Sequence, residues 1–215
     1  MTIWIMPTLE QAQHWYAQND PVHGFDHILR VYRLAERLAQ AEGADLEIVR
    51  AAALLHDAEG PLTGSNRSEH QLASAEFAYQ VLAAEDWPAE RIAAVQHCIR
   101  AHRFRDDREQ PQTIEAQVLF DADKLDAIGA IGAVRAIAYA LLDGQRLFAE
   151  PSEQFMQSGQ KLPGEAHTPY HEYLFKLSKL KERMFTPTGK ALAQARHDFL
   201  SGFFDRLYAE LRAEA

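Results

Sequence analysis

A carboxylate stands in the middle of an otherwise apolar helical row: Ala116, Leu119, Phe120, Asp123, Ala127, Ala130 and Val134 share one face of the segment 113–142. Any fold that buries this row must compensate the charge, because an isolated buried carboxylate neutralises or costs several kcal/mol. The problem recurs on two other segments. In 45–58, Val49, Ala52, Ala53 and His56 follow helical spacing, so His56 faces inward with Asp57 turned about 100° around the axis. In 25–41, Ile28, Val31, Ala35 and Leu38 form the inward stripe, and His27 lies at its N-terminal end, one turn before Val31.

Taken singly, each polar group has a bland explanation. A histidine on an apolar face is more often a hydrogen-bonded core residue than a ligand, and Asp123 alone would be served by an arginine. Three inward polar positions on three helices would need three unrelated partners, whereas one divalent metal satisfies all of them. An imidazole nitrogen and a carboxylate oxygen suit Mn²⁺, Fe²⁺, Co²⁺, Ni²⁺ or Zn²⁺. The His56-Asp57 dipeptide cannot complete a coordination shell, so His27 and Asp123 are the further ligands expected.

Nearly every long segment has helical periodicity and no period-2 run is bounded by turn residues, which predicts an all-α chain. Helices are expected near 7–18, 25–41, 45–58, 68–85, 88–102, 113–142, 169–184 and 187–213. Ser68 with Gln71 has the form of a capping box, while Thr168-Pro169 and Thr186-Pro187 each pair a cap residue with a first-turn proline. The polar stretch 143–167 carries Gly144, Pro151, Gly159, Pro163 and Gly164; it is too long for an ordinary connection and reads as a mobile lid or a disordered excursion. With 215 residues and 47% apolar content the chain reads as one domain, 1–215.

A net charge of −9, from 31 acidic and 22 basic residues, disfavours nucleic acid or an anionic membrane as a broad electrostatic partner. A small phosphorylated substrate stays compatible, since a metal and a few local cations override the global sign. The single cysteine, Cys98, excludes an intramolecular disulfide. No apolar run approaches a membrane span and the N-terminus lacks a secretory pattern, so a cytoplasmic location is expected.

The pattern of His27, then His56-Asp57, then Asp123 resembles the HD superfamily of metal-dependent phosphohydrolases. The likeness extends to HisGlyPheAspHisIleLeuArgVal at 23–31, AlaAlaLeuLeuHisAsp at 52–57, AspAlaAspLysLeuAspAlaIleGlyAlaIleGly at 121–132 and LysLeuXaaLysLeuLysXaaArgMet at 176–184. These are similar to the small single-domain bacterial branch, one member type of which is a nucleoside triphosphate pyrophosphohydrolase. The resemblance implies an HD-domain helical bundle with a central metal, and makes His27, His56, Asp57 and Asp123 its ligands. Related nucleotidases place a glutamate three residues after the aspartate, where this chain has Gly60; Glu59 sits two positions after Asp57, which leaves the general base unassigned. Two-metal members use further histidines between the His-Asp pair and the last aspartate. His102 shares the Ile92-Val95-Ile99 stripe and faces the site, while His97 points elsewhere. A single metal is expected, with His102 touching phosphate or organising the ligands.

Four protein ligands on a six-coordinate ion leave two positions, enough for a water and a phosphate oxygen, which suits phosphoester or phosphoanhydride hydrolysis. Mn²⁺ is favoured; Mg²⁺, Co²⁺, Ni²⁺, Fe²⁺ and Zn²⁺ also match the donors. Asp57 and Lys124 are the catalytic candidates, and Asp126, one turn after Asp123, either orients a ligand or water or pairs with an arginine. His23, Arg30, His102 and Lys124 are the candidate substrate contacts, while Asp26 reads as a helix N-cap. Lys176 and His171 offer polar groups near the 143–167 segment, but the helix carrying them is assigned no chemistry. The last helix, with Leu192, Ala195, Phe199, Phe203 and Leu207, reads as a core helix or a homodimer face. The expected reaction splits a (deoxy)nucleoside triphosphate into monophosphate and pyrophosphate. The alternatives are a nucleoside monophosphate phosphatase or cyclic phosphodiesterase on the same metal, and a non-catalytic nucleotide- or metal-sensing module.

Overall fold

The structure, a computed structural model, describes residues 4–16, 24–58, 70–103 and 109–214. Every regular element among them is helical, so the chain is all-α. Two compact units emerge: residues 1–124 with 184–189, and residues 125–183 with 190–215.

The first unit is built around α3 (Leu46–Leu55), which has Ile48, Val49, Ala51, Ala52, Ala53, Leu54 and Leu55 all buried. A helix buried over most of its circumference has to be covered on several sides, and α2 (Phe25–Glu42), α4 (His70–Ala84) and α5 (Ala89–Ala101) all pack on it. Its start is fixed by Asp45, whose side chain accepts from the amides of Glu47 and Ile48. The same carboxylate takes a forked pair from Arg91 of α5, at 2.9 and 3.0 Å. Gly43 ends α2 at φ +73°, a left-handed position that glycine adopts without strain. A short α1 (Leu9–Gln13) precedes these helices, and α6 (Ile114–Asp126) follows them.

The 113–142 stretch is not one helix. It breaks after Asp126, and α7 (Gly129–Leu142) starts afresh from an extended Ile128 and a left-handed Gly129 at φ +77°. A Cβ on Gly132 would lie 2.3 Å from the Ala127 carbonyl oxygen, so the close turn depends on that glycine too. The 169–184 helix also divides, into α9 (Pro169–Phe175), capped by Thr168 as expected, and a 3₁₀ stretch (Leu177–Arg183). Within 143–167 lies α8 (Glu153–Ser158), and Glu165 gathers the segment by accepting from the Ser152 amide and hydroxyl and the Leu162 amide at 2.7–2.8 Å. The final helix, α10 (Pro187–Leu211), contributes its first turn to the first unit and the rest to the second. No single helix among the described residues is long and apolar enough to cross a membrane.

Asp121, fully buried on α6, holds the first turn of α10. Its carboxylate accepts from the Phe185 amide at 2.9 Å, the Thr186 amide at 2.8 Å and the Thr186 hydroxyl at 2.7 Å.

Candidate metal centre

The centre grows from the C-terminal end of α3. His56 is the cap residue, and its Nδ1 lies 2.9 Å from the Ala53 carbonyl oxygen three residues back. A carbonyl only accepts, so Nδ1 carries the proton and Nε2 presents its lone pair. His102 ends α5 in the same way, with Nδ1 at 2.5 Å from the Ile99 carbonyl. Two helix ends therefore each turn an imidazole back on their own backbone and aim its other nitrogen at the same carboxylate.

That carboxylate is Asp57. Its Oδ2 lies 3.7 Å from His56 Nε2, while its Oδ1 lies 3.5 Å from His102 Nε2 and 3.4 Å from Nε2 of His70, the first residue of α4. His27, in the first turn of α2, brings its Nε2 to 3.5 Å from Asp123 Oδ1 of α6. The rings of His27, His56, His102 and His70 follow one another at centroid distances of 5.6, 5.2 and 5.6 Å. His27, His56 and Asp57 place ligand atoms within 4.8 Å of one another, and so do Asp57, His70 and His102. Asp57 belongs to both groups, and Asp123 joins the first through His27.

Contacts of 3.4–3.7 Å are too long for hydrogen bonds, but donors about 2.1 Å from one ion lie roughly 3.0–3.4 Å apart. His56 Nε2 and Asp57 Oδ1 are buried with no hydrogen-bond partner. A fully buried imidazole lone pair and a buried carboxylate oxygen left in this way fit a divalent cation. The protonation states agree. Burial pushes the His56 imidazole down to about 4 against the opposing pull of Asp57, keeping it neutral. For Asp57 burial acts upward, yet His56, His102 and His70 together hold it well below the usual carboxylate range. Burial also acts upward on Asp123 and is outweighed first by Lys124, then by His27, His102 and His56. Two ionised carboxylates and a neutral imidazole are the donor forms a metal requires.

Lys124 is 8% exposed and its Nζ sits 2.5 Å from Asp123 Oδ2 and 5.3 Å from the Phe120 ring centre. Asp123 thus offers one oxygen to the ammonium and the other to His27. Arg30 lies on α2, partly exposed, one turn beyond His27. Asp126 is 1% exposed and pairs with Arg135 of α7 at 2.6 Å, within the second unit. His97 turns to Glu109 at 2.7 Å. His171 and Lys176 engage Glu165 and Glu172 in the second unit. His23 and Glu59 lie outside the described residues.

His70 is the residue that the sequence pattern did not single out. It is the first described residue of α4, ahead of the helix's apolar positions; its signal is its place in the sequence between the His-Asp pair and Asp123.

A family model described as the HD domain matches residues 24–128, which include all six of these histidine and aspartate groups. YpgQ of Bacillus subtilis is 32% identical over 192 residues, 88% of this chain and 84% of the relative. The crystal structure of B. subtilis YpgQ in complex with ADP is similar at a TM-score of 0.74 and 30% identity, covering 97% of this chain and 100% of that one. A predicted HD superfamily hydrolase from an uncultured Thermotogales bacterium gives a TM-score of 0.64 at 28% identity, covering 94% and 90% of the two chains.

Proposed function

The chain belongs to the HD superfamily of metal-dependent phosphohydrolases, and on that footing we propose that it hydrolyses a (deoxy)nucleoside triphosphate to the monophosphate and pyrophosphate. The observation that carries the metal dependence is the pair of orphaned buried atoms, His56 Nε2 and Asp57 Oδ1, set among three further imidazoles and a second carboxylate. A nucleotide substrate is supported by the ADP bound to YpgQ. His27, His56, Asp57 and Asp123 would hold one divalent ion, with Mn²⁺ the favoured metal. When bound, the ion supplies Lewis acidity, making water a better nucleophile near neutral pH and offsetting charge on the phosphoryl oxygens.

The chain's own groups do the rest. The Ala53 carbonyl fixes the His56 tautomer, and Lys124 orients Asp123 while keeping a cation beside the site. His70 and His102 face the second oxygen of Asp57 and are assigned to phosphate; their Nε2 atoms are 3.4 and 3.5 Å from it. Arg30, on the exposed side of α2, is assigned to the outer phosphates, and His23 to the same task. Asp126 is left with Arg135 and given no step.

One observation favours a second reading. Asp57, His70 and His102 form a second group of three that could hold an ion, so a two-metal centre would share Asp57 between the two groups. Such a centre would also suit a monophosphate or a cyclic phosphodiester.

Product analysis separates these readings. Purified protein with Mn²⁺ and a nucleotide panel is predicted to release pyrophosphate from triphosphates, and Asp57→Ala to release none. Orthophosphate from monophosphates, or opening of a cyclic diester, would replace the triphosphate reading. Tight nucleotide binding without turnover under any metal would leave a sensing module.

A further inference from the structure

The described N-terminal residues form a belt on the first unit, anchored at Trp87 and at Phe77. Trp87 Nε1 donates to the Ile5 carbonyl at 2.9 Å, and the Trp4 and Trp87 rings lie 6.4 Å apart. Thr8 and Gln11 close a reciprocal capping box that starts α1. Trp15 meets Phe77 of α4 edge-on at 5.6 Å. The next residue, Tyr16, turns into the core and is 8% exposed.

Tyr16 reaches the metal turn. Its hydroxyl donates to the Leu54 carbonyl at 2.7 Å, a buried bond spanning 38 residues. Its oxygen also faces the backbone amide of Asp57. The last carbonyls of a helix lack amide partners from within it, and at the end of α3 each finds another: Ala53 takes the His56 ring, Leu54 takes Tyr16, and Leu55 takes the Ala58 amide at 3.2 Å. The Tyr16 ring meanwhile lies 6.1 Å from that of Phe25, the first residue of α2 and two before His27. One side chain therefore meets the last turn of α3 and the side chain that opens α2, the two segments that carry the first group of ligands.

We propose that Tyr16 is a positioning residue for the metal site, its hydroxyl fixing the last turn of α3 and hence the direction in which His56 and Asp57 leave it. This rests on the metal reading above and goes beyond it, since Tyr16 lies outside the matched family region, 24–128. The ring's packing would survive in phenylalanine; only the hydroxyl's hold on the turn would be lost.

The test is Mn²⁺ affinity of stripped protein, read from free Mn²⁺ by electron paramagnetic resonance, in wild type, Tyr16→Phe and Trp15→Leu. Tyr16→Phe is expected to bind roughly tenfold more weakly or worse, the scale seen when groups behind metal ligands are removed. Trp15→Leu, which loosens the same belt without touching the turn, is expected to lower the melting temperature and leave affinity unchanged. Equal affinity in wild type and Tyr16→Phe overturns the proposal while leaving the metal reading intact, and so does an equal loss in Trp15→Leu. No Mn²⁺ bound by the wild type overturns both. Should Tyr16→Phe fail to fold, wild type labelled with ¹³Cζ-tyrosine answers the question on Zn²⁺ titration. The Tyr16 resonance must shift as the site fills while Tyr208 in the second unit stays put; a stationary Tyr16 overturns the assignment.

Discussion

Nε2 of His27 lies 3.5 Å from Oδ1 of Asp123, joining the first turn of α2 to the last turn of α6 across 96 residues of chain. Asp123 Oδ2 meanwhile holds the Lys124 ammonium at 2.5 Å. Lys124→Met removes that cation and frees the carboxylate to rotate. Activity is expected to fall about 10²–10³-fold in kcat, the scale for losing one preorganised electrostatic group. Steady-state kinetics at saturating Mn²⁺ checks this, with metal content measured alongside to separate lost ion from lost charge.

His70 and His102 are predicted to act on substrate rather than on the single ion. His70→Ala and His102→Ala should retain the metal of the wild type while KM for the nucleotide rises. Metal analysis after gel filtration decides the matter: loss of one of two bound ions in either variant would make them ligands of a second ion on Asp57.

Two aspartates two positions apart on α6 are predicted to differ in what they support, Asp121 the fold and Asp123 the metal. Asp121→Ala leaves the Phe185 amide and both Thr186 donors without their acceptor, a loss of about 3 kcal/mol, or roughly 10 °C in melting temperature for a chain of this size. Asp123→Ala leaves the buried Lys124 ammonium without the carboxylate that lies 2.5 Å from it, so it should also lower the melting temperature of the stripped protein, but it additionally abolishes metal binding and activity. Thermal melts and bound-metal analysis of the two variants make the comparison.

The acid limb of stability should involve the second unit. Burial pushes Glu172 up, but hydrogen bonds from His167 at 3.0 Å and Lys176 at 2.8 Å outweigh it and bring the carboxyl down to about 2 from 4.5. A folded value below the unfolded one gives stability that is complete above about pH 4.5 and lost as pH falls toward 2. Melts of wild type and Glu172→Gln at pH 6 and pH 3 should therefore differ by several degrees at the higher pH and by less at the lower.

The helical class and the inward aim of His27, His56, His102 and Asp123 were legible because each sits on a stripe of period 3.6. What escaped depends on non-periodic chemistry. The break after Asp126 follows from the backbone freedom of Gly129 and the close approach at Gly132, which a run of apolar residues conceals. The order within 143–167 comes from one glutamate, Glu165, gathering backbone amides that carry no residue identity. His70 stands before any stripe begins. Asp121 and Asp123 look alike in sequence, and only their partners, an α10 turn for one and a histidine and lysine for the other, tell strut from candidate ligand.

The most direct test of the account is reconstitution of chelator-stripped protein with Mn²⁺ against a deoxynucleoside triphosphate, pyrophosphate release being followed as metal is added. The account predicts no release without metal, saturation at one equivalent per chain, and none at any metal level in Asp57→Ala. Pyrophosphate release by the stripped protein, or by Asp57→Ala at the wild-type rate, would contradict it.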